Sequence, residues 1–334
     1  MIGRIVQSVC LPPAGHHRIR AQNPTLLFLL FSSICLCLLP GHSQAFEESE
    51  LIPIRQIATI GAKEGKARLR QPSSVLVARN GNIFVLDGTV NRVVVFSPNG
   101  KFLYDFGRKF LDMPLGMTMD NKGTLYVTDT RKGRIQLFSP QGKHLRQIEL
   151  PKGRNGAPSE PVDVAVDNRR RLLYIVDNRN HRILIHDLKK NRIFKTMGKM
   201  GMAAGELRWP FSITLDGHGQ AYLVDVINTT VRTINPAENW AFGYDIGGWG
   251  IRKGKFFRPK GIAIGAGERL FVSDSYLGVV QLFDMEGHFI AVLSDANKKI
   301  HRFKTPVRLF IDNKNRLYVV EMVANRISVF EIQR

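Results

Sequence analysis

Apolar residues along the chain fall in short runs bounded by turn formers, and six of these runs follow a proline. After Pro72, Pro114, Pro161, Pro210, Pro259 and Pro306 come SSVLVA, LGMTMD, VDVAVD, FSITLD, KGIAIG and VRLFID. A second run then closes on an acid, in FVLDG, YVTDT, YIVDN, YLVDV, FVSDS and YVVEM. The runs read as strands, and the residues between them, such as Asn80-Gly81, Lys122-Gly123, Gly217-His218-Gly219 and Asn313-Lys314-Asn315, are hairpin formers. Proline to acid takes 15 residues in five copies and 16 in the third, where Arg169-Arg170-Arg171 lengthens the hairpin.

The prolines stand 42, 47, 49, 49 and 47 residues apart, the period of a repeat array. Each copy continues with a third strand such as VVVFSP or ILIHDL, a turn such as Asn99-Gly100 or Gln141-Gly142, and a fourth strand such as KFLYDFG. Four antiparallel strands make one propeller blade. The expected fold is therefore all-β, a six-bladed β-propeller. Its sixth copy ends at RISVFEIQR with three strands, while residues 52–61, IPIRQIATIG, match the fourth strand of the other copies. The N-terminal strand is expected to complete the last blade and close the ring.

The pattern P-x-G-[apolar]-x-[apolar]-D, then [YF]-V-x-D-x-x-x-x-R-[IV]-x-x-[F], resembles the NHL repeat over residues 52–334. Its arginine stands at Arg92, Arg134, Arg182 and Arg326 but is Thr230 and Val279 in the fourth and fifth copies, and the third copy keeps Asn180 and His181 ahead of Arg182-Ile183. There is no Trp-Asp strand ending and no recurrent Gly-Gly pair. The Tyr-Trp-Thr-Asp core of a related repeat lacks its tryptophan here, as in Tyr126-Val127-Thr128-Asp129. The resemblance implies an interaction platform, the commonest role of NHL propellers. It also brings two alternatives, a zinc-dependent lyase and RNA binding.

Composition narrows the class. The chain has 334 residues, 44% hydrophobic and 23% charged, as in a globular protein. Its three cysteines, Cys10, Cys35 and Cys37, precede the repeats, so the body holds no disulfide, thiolate metal site or RING-type zinc module. Residues 25–39, TLLFLLFSSICLCLL, follow Arg4, Arg18 and Arg20 and precede Pro40 and Gly41, the layout of a signal peptide. Cleavage is expected after Ser43-Gln44-Ala45, dividing the chain into a signal peptide at 1–45 and a propeller at 46–334. A periplasmic or secreted protein of a bacterial-type cell follows, with an uncleaved membrane anchor at 25–39 as the alternative. Ile34 and Leu36, directly before the cysteines, speak against lipid attachment.

A residue that recurs in every repeat serves the repeat. Asp87, Asp129, Asp177, Asp225, Asp274 and Glu321 are read as structural anchors that accept backbone N–H groups at the start of the following loop, with the arginines five residues on lying against them. Metal chemistry would need convergent ligands. Of the histidines after residue 45, only His181 and His301 reach one face by register, while His144, His186, His218 and His288 do not. The first-strand residues nearest the axis are Ser74, Gly116, Asp163, Ser212, Gly261 and Arg308, and one aspartate beside an arginine is no calcium cage. No metal, cofactor or catalytic residue is expected, with a metal-dependent lyase or lactonase-like enzyme as the alternative.

Charge points to a face. Lys and Arg outnumber Asp and Glu by 48 to 28. The six connections between repeats, residues 62–71, 107–113, 151–160, 198–209, 247–258 and 294–305, hold 18 basic residues against five acidic ones, and Arg131, Lys132 and Arg179 lie in short loops of the same face. Those connections also carry Phe110, Trp209, Trp249, Phe256, Phe257 and Phe303. Basic residues beside aromatic ones suit an anion with an apolar or planar part. Arg70, Asp163, Arg208, Trp209, Arg258, Arg302, Lys304 and Arg308 are expected to converge there on an acidic protein, a polysaccharide or a lipid headgroup. RNA is a partner only if the chain is not exported.

Overall fold

The computed structural model describes residues 48–62 and 65–333. The expected signal segment, its cleavage point and the three cysteines lie outside the described residues. The described chain is built from strands, with short 3-10 turns as its only helical elements. An N-terminal strand, β1 (Leu51–Ile60), precedes the first repeat, β2 (Pro72–Val77), β3 (Ile83–Asp87), β4 (Arg92–Phe96) and β5 (Phe102–Phe106). The second comprises β6 (Met117–Met119), β7 (Leu125–Asp129), β8 (Arg134–Phe138) and β9 (His144–Glu149), and the third β10 (Pro161–Asp167), β11 (Leu172–Asp177), β12 (Arg182–Asp187) and β13 (Arg192–Met197). The fourth is β14 (Pro210–Leu215), β15 (Ala221–Asp225), β16 (Thr230–Asn235) and β17 (Ala241–Gly247). The fifth is β18 (Pro259–Gly265), β19 (Arg269–Asp274), β20 (Val279–Phe283) and β21 (Phe289–Ser294), and the sixth is β22 (Pro306–Ile311), β23 (Arg316–Glu321) and β24 (Arg326–Ile332).

Repeats one to four each form a separate four-stranded antiparallel sheet. Repeats five and six do not separate, because hydrogen bonding joins them into one eight-stranded sheet ordered β18-β19-β20-β21-β1-β24-β23-β22. The cause is the ten-residue length of β1. Its last seven residues run antiparallel to β24, from Ile54 opposite Ile332 to Ile60 opposite Ile327. Its first three run parallel to β21, Leu51 to Pro53 opposite Val292 to Ser294. The pairing with β24 was legible in the sequence, and the parallel pairing with β21 was not.

A bulge recurs near the start of the first strand, between Pro72 and Ser74, Pro161 and Asp163, Pro210 and Ser212, and Pro306 and Arg308. Proline has no N–H for the ladder, so pairing slips at this point and the residue two positions on is re-aimed. In the second and fifth copies that residue is glycine. A Cβ on Gly116 would lie 2.6 Å from the Val162 carbonyl oxygen, and one on Gly261 2.8 Å from the Arg308 Cα, so a side chain is excluded by neighbouring first strands. Apolar clusters fill the space between successive sheets, such as Val162, Tyr174, Val176, Ile213 and Leu223 between repeats three and four.

Candidate binding face and axial cavity

The six repeat acids are all buried. Their first use is to hold the connection that precedes their own repeat. Asp87 accepts the Arg70 N–H at 2.7 Å, Asp129 that of Asp112 at 2.7 Å, Asp177 that of Glu160 at 2.9 Å and Asp225 that of Arg208 at 2.9 Å. Asp274 accepts from Phe257 at 2.7 Å and Arg258 at 2.9 Å, and Glu321 from Lys304 at 2.7 Å. The loop after the acid, where the donors were expected, supplies such bonds in the fifth copy, from Tyr276 and Leu277 to Asp274. The arginines five residues on approach the other oxygen, Arg92 at 3.0 Å, Arg134 and Arg182 at 2.8 Å and Arg326 at 2.9 Å. Thr230 cannot do this in the fourth copy, where Arg232, two residues further, stands 3.5 Å from Asp225. Burial pushes the Asp225 carboxyl up to about 6, against the opposing pull of the Arg208 N–H, Asn228 and Arg232.

Four residues after each acid the backbone is left-handed, at Asn91, Gly133, His181, Thr229, Gly278 and Asn325. Three of these side chains make a joint that the sequence reading missed. Asn91 accepts the Met113 N–H at 2.8 Å, His181 Nδ1 that of Trp209 at 3.1 Å and Asn325 that of Gln71 at 2.7 Å. Each acceptor reaches the residue before the next repeat's proline, so the Asn and His positions tie neighbouring repeats together. Burial lowers the His181 pKa, and the nearby Arg208 adds to this, which suits a ring whose Nδ1 accepts the Trp209 N–H. His301 is also lowered by burial, and its ring packs 4.5 Å from Phe303 and 5.2 Å from Phe330. Among the described residues no group of three or more His, Cys, Asp or Glu side chains forms a metal-ligand cluster.

The expected binding residues divide into two sets. Arg70, Arg258, Arg302 and Lys304 are exposed and Arg208 is half-buried, each on a connection held by a buried acid. Arg302 donates to the Leu277 carbonyl at 2.6 Å, and no acidic side chain pairs with the others among the described residues. Trp209, 49% exposed, has its ring edge-on to His181 at 5.7 Å. Beside it, a groove of about 800 Å³ runs between connections 151–160 and 198–209, lined by Arg154, Arg179, His181, Lys199 and Met200 among others.

Asp163 and Arg308 are not on that surface, and the expectation that they are is corrected. They are 1% and 6% exposed and form an ion pair between the third and sixth repeats. Asp163 also accepts from Val164 N at 2.7 Å, Ile213 N at 2.8 Å and Ser212 Oγ at 3.2 Å, while Arg308 Nη1 reaches Ser212 Oγ at 2.7 Å. The aromatic residues also split. Phe256 and Phe303 are buried wedges between sheets, and Phe110 stacks on His144 at 4.1 Å, whereas Trp249 stays 76% exposed. Lys260 lies 3.9 Å over the Phe211 ring, and burial together with Arg258 pushes its pKa down to about 8.

Comparison with known proteins fits this geometry. A family profile described as the NHL repeat matches residues 111–138 and 159–185. No curated protein matches the chain. Among solved structures, the chain is similar to virginiamycin B lyase from Staphylococcus aureus, at 17% identity and a TM-score of 0.56 over 78% of this chain and 80% of that one. It is similar to the β-propeller domain of Cps50 (Swd1) from Myceliophteria thermophila, at 11% identity and a TM-score of 0.58 over 83% and 99%. An auxiliary nutrient binding protein from Bacteroides thetaiotaomicron aligns at 9% identity and a TM-score of 0.62 over 80% and 70%. Such identities carry the fold alone, and the chain is accordingly an all-β propeller with NHL repeats at residues 111–138 and 159–185.

Proposed function

We propose that this chain is an exported, six-bladed propeller that binds an acidic protein segment through its basic loop face and does no chemistry there. The observation that carries this reading is how the buried acids are used. Asp87, Asp225, Asp274 and Glu321 are engaged by the backbone N–H groups of Arg70, Arg208, Arg258 and Lys304, so they fix the main chain and leave those side chains unneutralised. A main chain already fixed spares the cost of ordering the backbone on binding, and only the side-chain rotamers remain to be ordered. Met200 and Trp209 beside the groove add an adaptable thioether and a flat ring for the apolar part of a peptide. The six-blade count treats β1 as the outer strand of the sixth repeat, with its parallel pairing to β21 as a seam.

The test uses the purified full chain and a fluorescent poly-glutamate peptide, with poly-uridylate as a competing probe. The triple variant R208E/R258E/K304E should weaken peptide binding by about tenfold or more at low salt and flatten its salt dependence, since exposed charges are screened over about 10 Å at 0.1 M. K101E/K143E/K190E, on the opposite turns, is the control. Equal loss in both triples would mean that net charge alone attracts the peptide and that the specific face does not exist. Poly-uridylate binding tighter than the peptide would replace this reading with RNA binding.

A further inference from the structure

Two neighbouring connections carry matched apolar tips. Met200-Gly201-Met202 and Trp249-Gly250-Ile251 hold the same places ahead of Pro210 and Pro259. Each tip is pinned by the same pair of backbone bonds. In one, Gly201 N–H donates to the Leu207 carbonyl at 3.2 Å and Leu207 N–H to that of Lys199 at 2.8 Å. In the other, Gly250 N–H donates to the Phe256 carbonyl at 3.0 Å and Phe256 N–H to that of Gly248 at 2.9 Å. Leu207 and Phe256 are fully buried, so the core fixes the base of each tip. Met200, Met202, Trp249 and Ile251 nevertheless stay 67% to 76% exposed. The other large apolar side chains exposed on the connections, among the described residues, are Phe110 and Trp209, and each lies against a histidine ring.

Bases stand directly behind the tips. Connection 247–258 has no acid and holds Arg252, Lys255 and Arg258 besides Lys253, which pairs with Glu50. The acid of connection 198–209, Glu206, is met by Lys199 at 3.2 Å. Apolar side chains kept in water on fixed loops mark a docking surface. A protein partner would have to offer a fitted pocket to each tip, whereas the boundary of an anionic bilayer takes protruding apolar groups of any shape, suits tryptophan at headgroup level and attracts bases just behind. We propose that the two tips insert together into the headgroup layer of an anionic lipid bilayer, with Arg252 meeting the lipid phosphates. Of the four tip residues only Met200 also lines the groove between connections 151–160 and 198–209, so the inference goes beyond the peptide reading and does not depend on it.

The full chain is mixed with vesicles of phosphatidylcholine holding about one-third phosphatidylglycerol and a lipid with a nitroxide near its headgroup, and tryptophan quenching is read. The chain's three tryptophans are Trp209, Trp240 and Trp249, so quenching reports on the propeller and not on the apolar run at 25–39. Quenching should saturate, and pure phosphatidylcholine or high salt should require about tenfold more lipid. W249F should lose most of the quenching. M202S/I251S, which changes only exposed side chains and keeps every tryptophan, should raise the lipid needed for half-maximal quenching about tenfold or more. L103S/L145S, exposed apolar positions on the fourth strands of the first two repeats, should not shift it. Poly-glutamate binding by M202S/I251S should be unchanged. No quenching by anionic vesicles, unaltered quenching in M202S/I251S, or an equal shift in L103S/L145S would overturn the proposal, and loss of poly-glutamate binding in M202S/I251S would assign the tips to a protein partner instead.

Discussion

Cutting the Asp163–Arg308 pair from its two ends should give unequal losses, because the two partners are supported differently. Removing one member of a buried pair costs about 3–5 kcal/mol when the other is left uncompensated. In R308M the carboxylate of Asp163 keeps the N–H groups of Val164 and Ile213 and the Ser212 hydroxyl, and methionine refills most of the arginine stem. The loss should fall at or below the lower end, about 2–3 kcal/mol. In D163A the guanidinium keeps only Ser212 Oγ, its Nε is already without a protein partner, and the Val164 and Ile213 N–H groups lose their acceptor. Each orphaned polar group adds about 1–3 kcal/mol, so the loss should reach 5 kcal/mol or more. The double variant D163A/R308M should be no worse than D163A, since it removes the stranded charge. Urea unfolding followed by the fluorescence of Trp209, Trp240 and Trp249 reads all three. A loss in R308M equal to or larger than that in D163A, or a double variant equal to the sum of the singles, would refute the reasoning.

Two further outcomes follow from the same structure. Lys260, with a folded pKa near 8 below its unfolded 10.5, makes the unfolded chain bind more protons between those values, so the native protein gains stability as pH rises through that window. Lys260→Met should therefore stabilise the protein by about 1–3 kcal/mol at pH 7, a gain mostly gone by pH 10, and denaturant midpoints showing the same gain at both pH values would contradict this. Deleting residues 46–61 removes β1, strips cover from both β21 and β24, and should produce aggregation visible by light scattering. A monomer with an unchanged melting temperature would show that the closure is wrong.

The repeat was legible because each copy restates it: proline spacing, the hairpin turns and the acid all recur, and residues 52–61 could be recognised as a displaced fourth strand. What the sequence hid are contacts between copies. Asp163 and Arg308 are 145 residues apart, and although their shared place two residues after the proline put both near the axis, no local sign said that they would pair with each other rather than face a ligand. The same holds for the parallel pairing of Leu51–Pro53 with β21, which no hydrophobic pattern dictates. Phe256 and Trp249 stand seven residues apart in one connection, yet one is a core wedge and the other exposed, because burial there is decided by the adjoining sheet. The joint made by Asn91, His181 and Asn325 did leave a trace. Their shared position four residues after the acid needs a left-handed backbone, which asparagine and glycine supply at Asn91, Gly133, Gly278 and Asn325.

Ring closure uses the joint already present inside the array. Asn91 ties the first repeat to the second and His181 the third to the fourth, and Asn325 makes the same bond from the sixth back to Gln71 ahead of the first. The axial layer adds a joint of another kind, since Asp163 and Arg308 are its only charged residues and sit in the third and sixth copies. A packing that parted the third copy from the sixth would bury Arg308 without Asp163, a penalty of about 3–5 kcal/mol and a large fraction of the stability of an ordinary domain. The pair therefore ties non-adjacent copies, where the Asn and His joints tie adjacent ones. Asp163 and Arg308 do so in a layer of four side chains where, at the second and fifth copies, even a methyl group would not fit.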